Sequence, residues 1–323
     1  MAEQQALPSP PDEASGQATE SNEVEGVLEL GLMHEWTAYA SKTFSTAWEF
    51  WSYRAPALVA AKRSHDMIII SRQYFDRAID RHRKALANLT VDNIESVYMT
   101  SVLVAFNALF MLGEDEKDPT LPALDPILWL RLASGTAMVC ERWRELIGEE
   151  WVAASGLFYG KPDLSNNAEF FKPEHAKPFE KLLTYAQEYE RVDKEDQEVY
   201  AKALSYVGLI YKGIQTKSDH PMATCRRLFA MPSRLPLRFT AMAEQGQPRA
   251  MAILAHVFAC MRLLDDKVLW FKGVAERQIP RIEQGLPQGW KNMLEWPMAV
   301  AGGDVSAIGG DASADENLPS GVL

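Results

Sequence analysis

Six histidines, three cysteines and forty-four Asp or Glu residues are the side chains of this 323-residue chain that could ligate a metal or drive catalysis. Their spacing argues against both. Cys140, Cys225 and Cys260 stand alone, without a Cys-x-x-Cys pair or a histidine at ligand spacing. That excludes a cluster of closely spaced thiolates, offers no disulfide framework and predicts a reducing compartment. His65 and His82 share one helical stretch but lie far beyond the i, i+4 spacing of a helical metal pair, and His34, His175, His220 and His256 are scattered. Nucleophilic catalysis has no recognisable frame, since Gly-x-Ser-x-Gly and a Cys–His motif are both missing. Phosphate-cradling glycine loops are missing too, because Gly302-Gly303 and Gly309-Gly310 fall in a low-complexity tail. Asp265-Asp266 is an isolated pair without the further carboxylates that a magnesium site on facing helices needs. The expectation is therefore no metal, no cofactor and no enzyme.

His256 is the polar group that invites a function. It interrupts a stretch from Ala250 to Leu264 that is otherwise apolar apart from Arg262. A helix apolar nearly all round, yet too short to span a bilayer, belongs inside a helical body. Two readings of His256 stay open. The favoured one is a core histidine hydrogen-bonded to a carbonyl. The other is a polar anchor at one end of an apolar pocket, orienting a largely hydrocarbon ligand such as a sterol through its hydroxyl.

The apolar inventory includes thirteen Met, nine Trp and ten Tyr. Met99, Val102, Leu103, Phe106, Phe110 and Met111 line one helical stretch, and Met251, Leu254, Val257, Phe258 and Met261 line another. Stripes at this spacing are core by default, although a Met-rich lining also suits a large flat ligand. The net charge of -11 speaks against a nucleic-acid surface. The basic run Arg72, Arg77, Arg81, His82, Arg83, Lys84 is interleaved with Asp76 and Asp80 at helical distances and reads as a solvated, ion-paired face.

Almost every segment between the termini reads as helix, and strand-like alternation is nowhere convincing. Leu28 to Ala40 and Ile68 to Leu89 carry helical periodicity. Asp92 with Glu95 makes a capping pair for a helix over Asn93–Leu112. Asp125 before Pro126 is a strong start for a helix reaching about Ile147. Further helices are predicted over Pro178–Arg191, Lys194–Ile214, Pro248–Leu264 and Lys267–Glu283. Glu114–Leu124 and Leu157–Pro178 read as loops. Residues 1–26 and 301–323 are too poor in apolar groups to fold and are expected to be disordered, leaving one all-α domain over 27–300. With no run of eighteen apolar residues, no membrane span is expected.

The order of several segments resembles a known family. Phe229-Ala230-Met231-Pro232-Ser233-Arg234-Leu235-Pro236, a Pro248-Arg249-Ala250 start, Ile253-Leu254-Ala255-His256, Arg262-Leu263-Leu264-Asp265-Asp266 and Leu294-Glu295-Trp296-Pro297 follow one another. Earlier come His65-Asp66, Arg81-His82-Arg83-Lys84-Ala85-Leu86, Asn93-Ile94 and Trp129-Leu130-Arg131-Leu132. Together they are similar to the C-terminal regulatory domain of fungal zinc-cluster transcription factors, nearest to the sterol uptake control type. The resemblance implies a helical domain that senses a membrane lipid through an apolar cavity, associates as a homodimer or with a related factor, and moves from the cytosol to the nucleus when the lipid is lost. It also implies a six-cysteine DNA-reading cluster, for which this sequence has no counterpart, so direct DNA binding is not expected. On this resemblance the candidate pocket residues are Met99, Phe106, Phe110, Met251, His256, Phe258, Trp270, Phe271 and Gly273, with Trp270–Gly273 as a hinge. Competing readings are a helical interaction protein that modulates such a factor without a ligand and, behind it, a helical enzyme acting on an apolar substrate.

Overall fold

The computed structural model describes residues 76, 78–113, 125–148, 167–185, 192–218, 221–266, 268 and 271–304. The expected tail over 1–26, all but the first four residues of the expected tail over 301–323, the periodic stretch Leu28 to Ala40, the expected loop Glu114–Leu124, and His34, His65, His220 and Trp270 lie outside these residues, while Ala301 still belongs to the last helix. All described regular structure is helical, as the periodicity predicts.

Residues 78–86 are helical and lead by a turn into α1 (Ile94–Leu112), which packs along α2 (Pro126–Ile147). The ring of Tyr98, near the start of α1, meets that of Trp143, near the end of α2, at 5.4 Å. The start of α2 forms as the sequence dictates, with the Asp125 carboxylate accepting the Ile127 N–H at 2.9 Å and Pro126 in the first turn. The Asp92–Glu95 capping pair does not form. Asn93 is the N-cap and makes no side-chain cap bond; its amide instead takes the Thr90 N–H at 2.9 Å and donates to the Asn88 carbonyl at 2.8 Å. The short side chain closes the preceding turn rather than the helix.

Among the described residues, α1 is long and apolar enough to cross a membrane by length and composition, with a mean hydropathy of 1.5. Ser, Thr and Asn interrupt a strict apolar run, but the apolar residues keep the mean high, so a rule based on unbroken runs passes over it. Half of the window is buried within the bundle.

Of the predicted helix Pro178–Arg191, residues 178–184 are helical and 186–191 lie outside the described residues; the helical part is the end of a strap. It consists of α3 (Asn167–Phe170), a 3-10 segment (Pro173–Phe179) and α4 (Glu180–Thr184), with Tyr185 extended. The strap lies along α5 (Lys194–Thr216), capped by Asp193, whose carboxylate accepts the Asp196 N–H at 2.7 Å. Next come α6 (Pro221–Arg234) and α7 (Leu237–Glu244). The Ser134 hydroxyl of α2 donates to the Pro232 carbonyl at 3.0 Å and lies 3.0 Å from the Thr240 hydroxyl.

The hub is α8 (Pro248–Arg262). Ala250 and every apolar residue from Ala252 to Met261 has no exposed surface. Four alanines let neighbouring helices approach closely, and α5, α9 and α11 all pack on it. Here α9 is Val274–Gly285, α10 is Gln288–Lys291 and α11 is Glu295–Ala301. The helix expected from Lys267 starts seven residues later because Gly273, at φ 81, takes a left-handed conformation that ends the preceding turn.

Candidate functional site

Three aromatic groups hold four of the expected site residues, Phe106, His256, Phe258 and Phe271. In the first, Phe106 of α1 meets Phe229 of α6 at 4.0 Å edge-on, and Phe229 meets Phe271 at 5.3 Å. Met99, Phe106 and Phe110 fall at i, i+7 and i+11, so they share one face of α1; Phe106 is buried, and the other two are half-buried. In the second, Phe258 of α8 lies 6.1 Å from Trp129 of α2. The third surrounds His256. Its ring lies 5.0 Å from Phe179 and 5.4 Å from Trp296, and Phe179, Tyr211 and Trp296 are 5.2 to 5.6 Å from one another. These are the centroid separations of rings in contact. Met251 sits half-buried at the first turn of α8.

His256 behaves as the favoured reading has it. Nδ1 lies 2.8 Å from the Ala252 carbonyl oxygen and must donate to it, since a carbonyl only accepts. The neutral ring therefore carries its proton on Nδ1. Burial pushes its pKa down to about 4, with the Ala252 bond opposing the shift. Between pH 6.5 and 4 the unfolded chain binds a proton that the folded chain does not. The stabilisation is complete above pH 6.5 and is lost as pH falls toward 4, by about 3 kcal/mol. His256→Phe should remove that slope: the stability difference between parent and variant is expected to change by roughly this amount between pH 7 and pH 4 in urea titrations. A difference that stayed constant with pH would show that the ring is not held neutral in the fold.

A fourth feature joins the ends of α1 and α9. A Cβ placed on Gly113 would lie 2.2 Å from the Lys272 carbonyl oxygen, and one on Gly273 would lie 2.4 Å from that of Gly113. Arg277 Nε donates to the Gly113 carbonyl and Gln278 Nε2 to the Leu112 carbonyl, both at 2.9 Å. Two α9 side chains thus satisfy carbonyls at the end of α1, one of them cationic and suited to the negative end of the helix dipole. The geometry is that of a fixed joint at the Gly273 end of the expected hinge. Gly113→Ala and Gly273→Ala should each lose about 2 kcal/mol through overpacking. Because both break the same joint, the double variant should lose less than the sum, measurable as a coupling in denaturant melts.

The three cysteines are buried, and burial holds each thiol above its ordinary pKa, so none is poised as a nucleophile. Among the described residues no group of three or more His, Cys, Asp or Glu is placed to hold a metal ion.

No protein-family model and no solved structure matches this chain. Fungal regulators resemble it. A Zn(2)-C6 fungal-type transcription factor of Gibberella zeae is 25% identical over 327 residues, which covers 88% of this chain and 64% of the relative. The Zn(2)-C6 fungal-type transcription factor afumD of Aspergillus fumigatus is 22% identical over 260 residues, covering 71% of this chain and 66% of the relative. The chain thus spans about two thirds of the length of these curated relatives. The similarity reaches the broad class that the segment order suggests; neither description mentions a sterol.

Sequence reasoning missed Phe179, Tyr211, Trp296, Phe229, Arg249, Arg277 and Gln278. Helical periodicity marks Tyr211 and Phe229 only as apolar-face residues, and nothing local announces that Phe179 and Trp296 converge on His256. The Pro248-Arg249 pair was visible as a helix start, but the role of Arg249 depends on carbonyls more than sixty residues away.

Proposed function

We propose that the chain is the helical regulatory region of a fungal transcription regulator of the Zn(2)-C6 type, with a nuclear site of action. The similarity to two such factors, extending over 88% and 71% of this chain, carries the reading. DNA contact belongs to a partner or to a region outside this sequence, as the net charge of -11 favours.

The finer form of the proposal is that an apolar, sterol-like molecule biases the packing of this domain, and that the domain pairs with a second copy or a related factor and shuttles from the cytoplasm. The half-buried Met99 and Phe110, beside the Phe106–Phe229–Phe271 group, favour the α1 face as the contact for such a guest. Burying its apolar surface at roughly 25 cal/mol per Å² would supply several kcal/mol, enough to shift a two-state packing. The mutually contacting rings around His256 favour the ligand-free interaction protein as the second reading.

A thermal-shift series with sterols and other membrane lipids separates the two. A saturable rise in Tm with one lipid class supports the sensor. A flat series, with retained capture of a zinc-cluster factor, supports the interaction protein. Fusing the chain to an unrelated DNA-binding module and reading a reporter gene tests the regulatory assignment itself; a fusion without effect on transcription in either direction would count against it.

A further inference from the structure

We infer that the strap is a displaceable ligand held in cis, and that the groove beneath it is a docking site for a short aromatic-bearing segment of a partner protein.

The strap has little means of holding its own shape. It offers a helix of four residues, a 3-10 stretch of seven and a helix of five. All fall well short of the roughly 12 residues that an isolated helix needs in water. The 3-10 stretch is long for a geometry with the poorer hydrogen bonds.

What holds the strap is a row of aromatic sockets that belong to the rest of the bundle. Phe170 meets Tyr206 of α5 at 5.4 Å. Phe179, nine residues on, meets Tyr211 of α5 at 5.2 Å, His256 of α8 at 5.0 Å and Trp296 of α11 at 5.6 Å. Tyr185, six residues further, meets Trp290 of α10 edge-on at 5.0 Å, and its hydroxyl donates to the Gly289 carbonyl.

Between the sockets the groove takes backbone. Gly208 of α5 admits the His175 carbonyl where any Cβ would collide with it. Arg249 of α8 donates to the carbonyls of Leu182, Leu183 and Tyr185, and Gln197 of α5 gives the Leu183 carbonyl a second donor at 3.2 Å. The guanidinium is itself steadied from outside the strap, 5.5 Å from the centre of the Tyr200 ring and 5.2 Å from that of Trp290.

Main-chain contacts that give affinity and side-chain sockets that give selectivity are the two parts of a peptide groove. An element without stability of its own, seated on such a groove, is the part of a fold that opens at the lowest free energy. Opening leaves the Arg249 fork, Gly208 and the sockets in place. They suit a segment with two aromatic groups six residues apart and, between them, a helical turn whose last carbonyls face Arg249. A hydrocarbon guest could fill one socket but offers no row of carbonyls to the guanidinium. While the strap is seated it shuts out such a partner, an autoinhibitory contact.

The test uses the full chain and a fluorescein-labelled synthetic peptide of residues 167–185, followed by anisotropy. An attached strap competes at an effective concentration on the order of millimolar. The parent should therefore bind the peptide at least tenfold more weakly than a Phe179→Ala chain, whose own strap has lost its central anchor. The same peptide carrying Phe179→Ala should bind neither chain. A Phe179→Ala chain that is folded by circular dichroism yet takes up no peptide overturns the inference, as does equal binding of the two peptides. Should that variant not fold, hydrogen exchange on the parent decides. Amides of the strap are expected to exchange through an opening that leaves α5 and α8 protected; exchange only together with those helices would mean that the strap is an integral part of the core. Peptide uptake by the parent only as a dimer separates in sedimentation would place a second copy's strap in the groove and overturn the cis form. Neither measurement involves a lipid or a zinc-cluster factor, so failure here leaves the regulatory and lipid readings standing.

Discussion

Gly208→Ala is expected to destabilise the protein by about 2–3 kcal/mol, opposite in sign to the usual effect of this substitution. In the interior of a helix, replacing Gly by Ala ordinarily gains close to 1 kcal/mol. At Gly208, in the middle of α5, an added Cβ would lie 1.8 Å from the His175 carbonyl oxygen and 2.8 Å from its carbon. Those are backbone atoms of the strap, which cannot swing aside as the tip of a side chain can, so the strap itself must lift. Lifting it also disturbs Phe179, which packs against His256, Tyr211 and Trp296. Gly135→Ala in α2 is the internal control. No atom lies within 4 Å of its Cβ position, and the substitution should gain up to about 1 kcal/mol. Urea melts of the two variants side by side give the answer. If Gly208→Ala were as stable as Gly135→Ala, the strap could not lie against α5 as described.

Arg249→Ala is expected to cost about 4 kcal/mol, the largest loss among single substitutions proposed for this domain. Arg249 is 3% exposed, and its guanidinium is turned inward. It donates to the carbonyls of Leu182, Leu183 at 3.0 Å and Tyr185 at 2.5 Å, closing the C-terminal end of α4. It lies 5.5 Å from the centre of the Tyr200 ring and 5.2 Å from that of Trp290. Truncation leaves three carbonyls short of a donor, at about 1–3 kcal/mol for each that water cannot reach, and removes both ring contacts. Lysine keeps the charge but not the planar fork, so Arg249→Lys should still lose more than half of the effect. Arg249→Met keeps the apolar stem and separates packing from hydrogen bonding. Melts report the size of the loss, and hydrogen exchange reports the place, with amides of residues 180–185 expected to open first. A methionine variant as stable as the parent would mean that the three carbonyls find other donors.

Both predictions concern the strap, where the helix predicted from Pro178 is broken at Tyr185, which is extended. Pro178 followed by Glu180, Lys181, Leu182 and Leu183 has the look of a helix start. Local propensity does give the short helix Glu180–Thr184, but the strap's seat depends on partners that local sequence does not show: a glycine in α5 that admits the strap's backbone, and an arginine in α8 that takes its last carbonyls. The Asp92–Glu95 cap failed on a smaller scale, because Asn93 is committed to the turn before it. Asp125-Pro126 succeeded because an N-cap carboxylate and a proline with its φ already set act within one turn and need nothing from the rest of the fold.

By itself the sequence determined the helical class, the start of α2 and the central place of the Ala250–Leu264 stretch, and for the histidine within it favoured a carbonyl bond over a pocket anchor. Each follows from apolar periodicity or from chemistry completed within four residues of chain. Only the tertiary structure decided which rings surround His256 and that Gly113 and Gly273 lock two helix ends together. Those outcomes depend on register between helices distant in sequence, and register is set by the simultaneous packing of all faces, which no local pattern encodes.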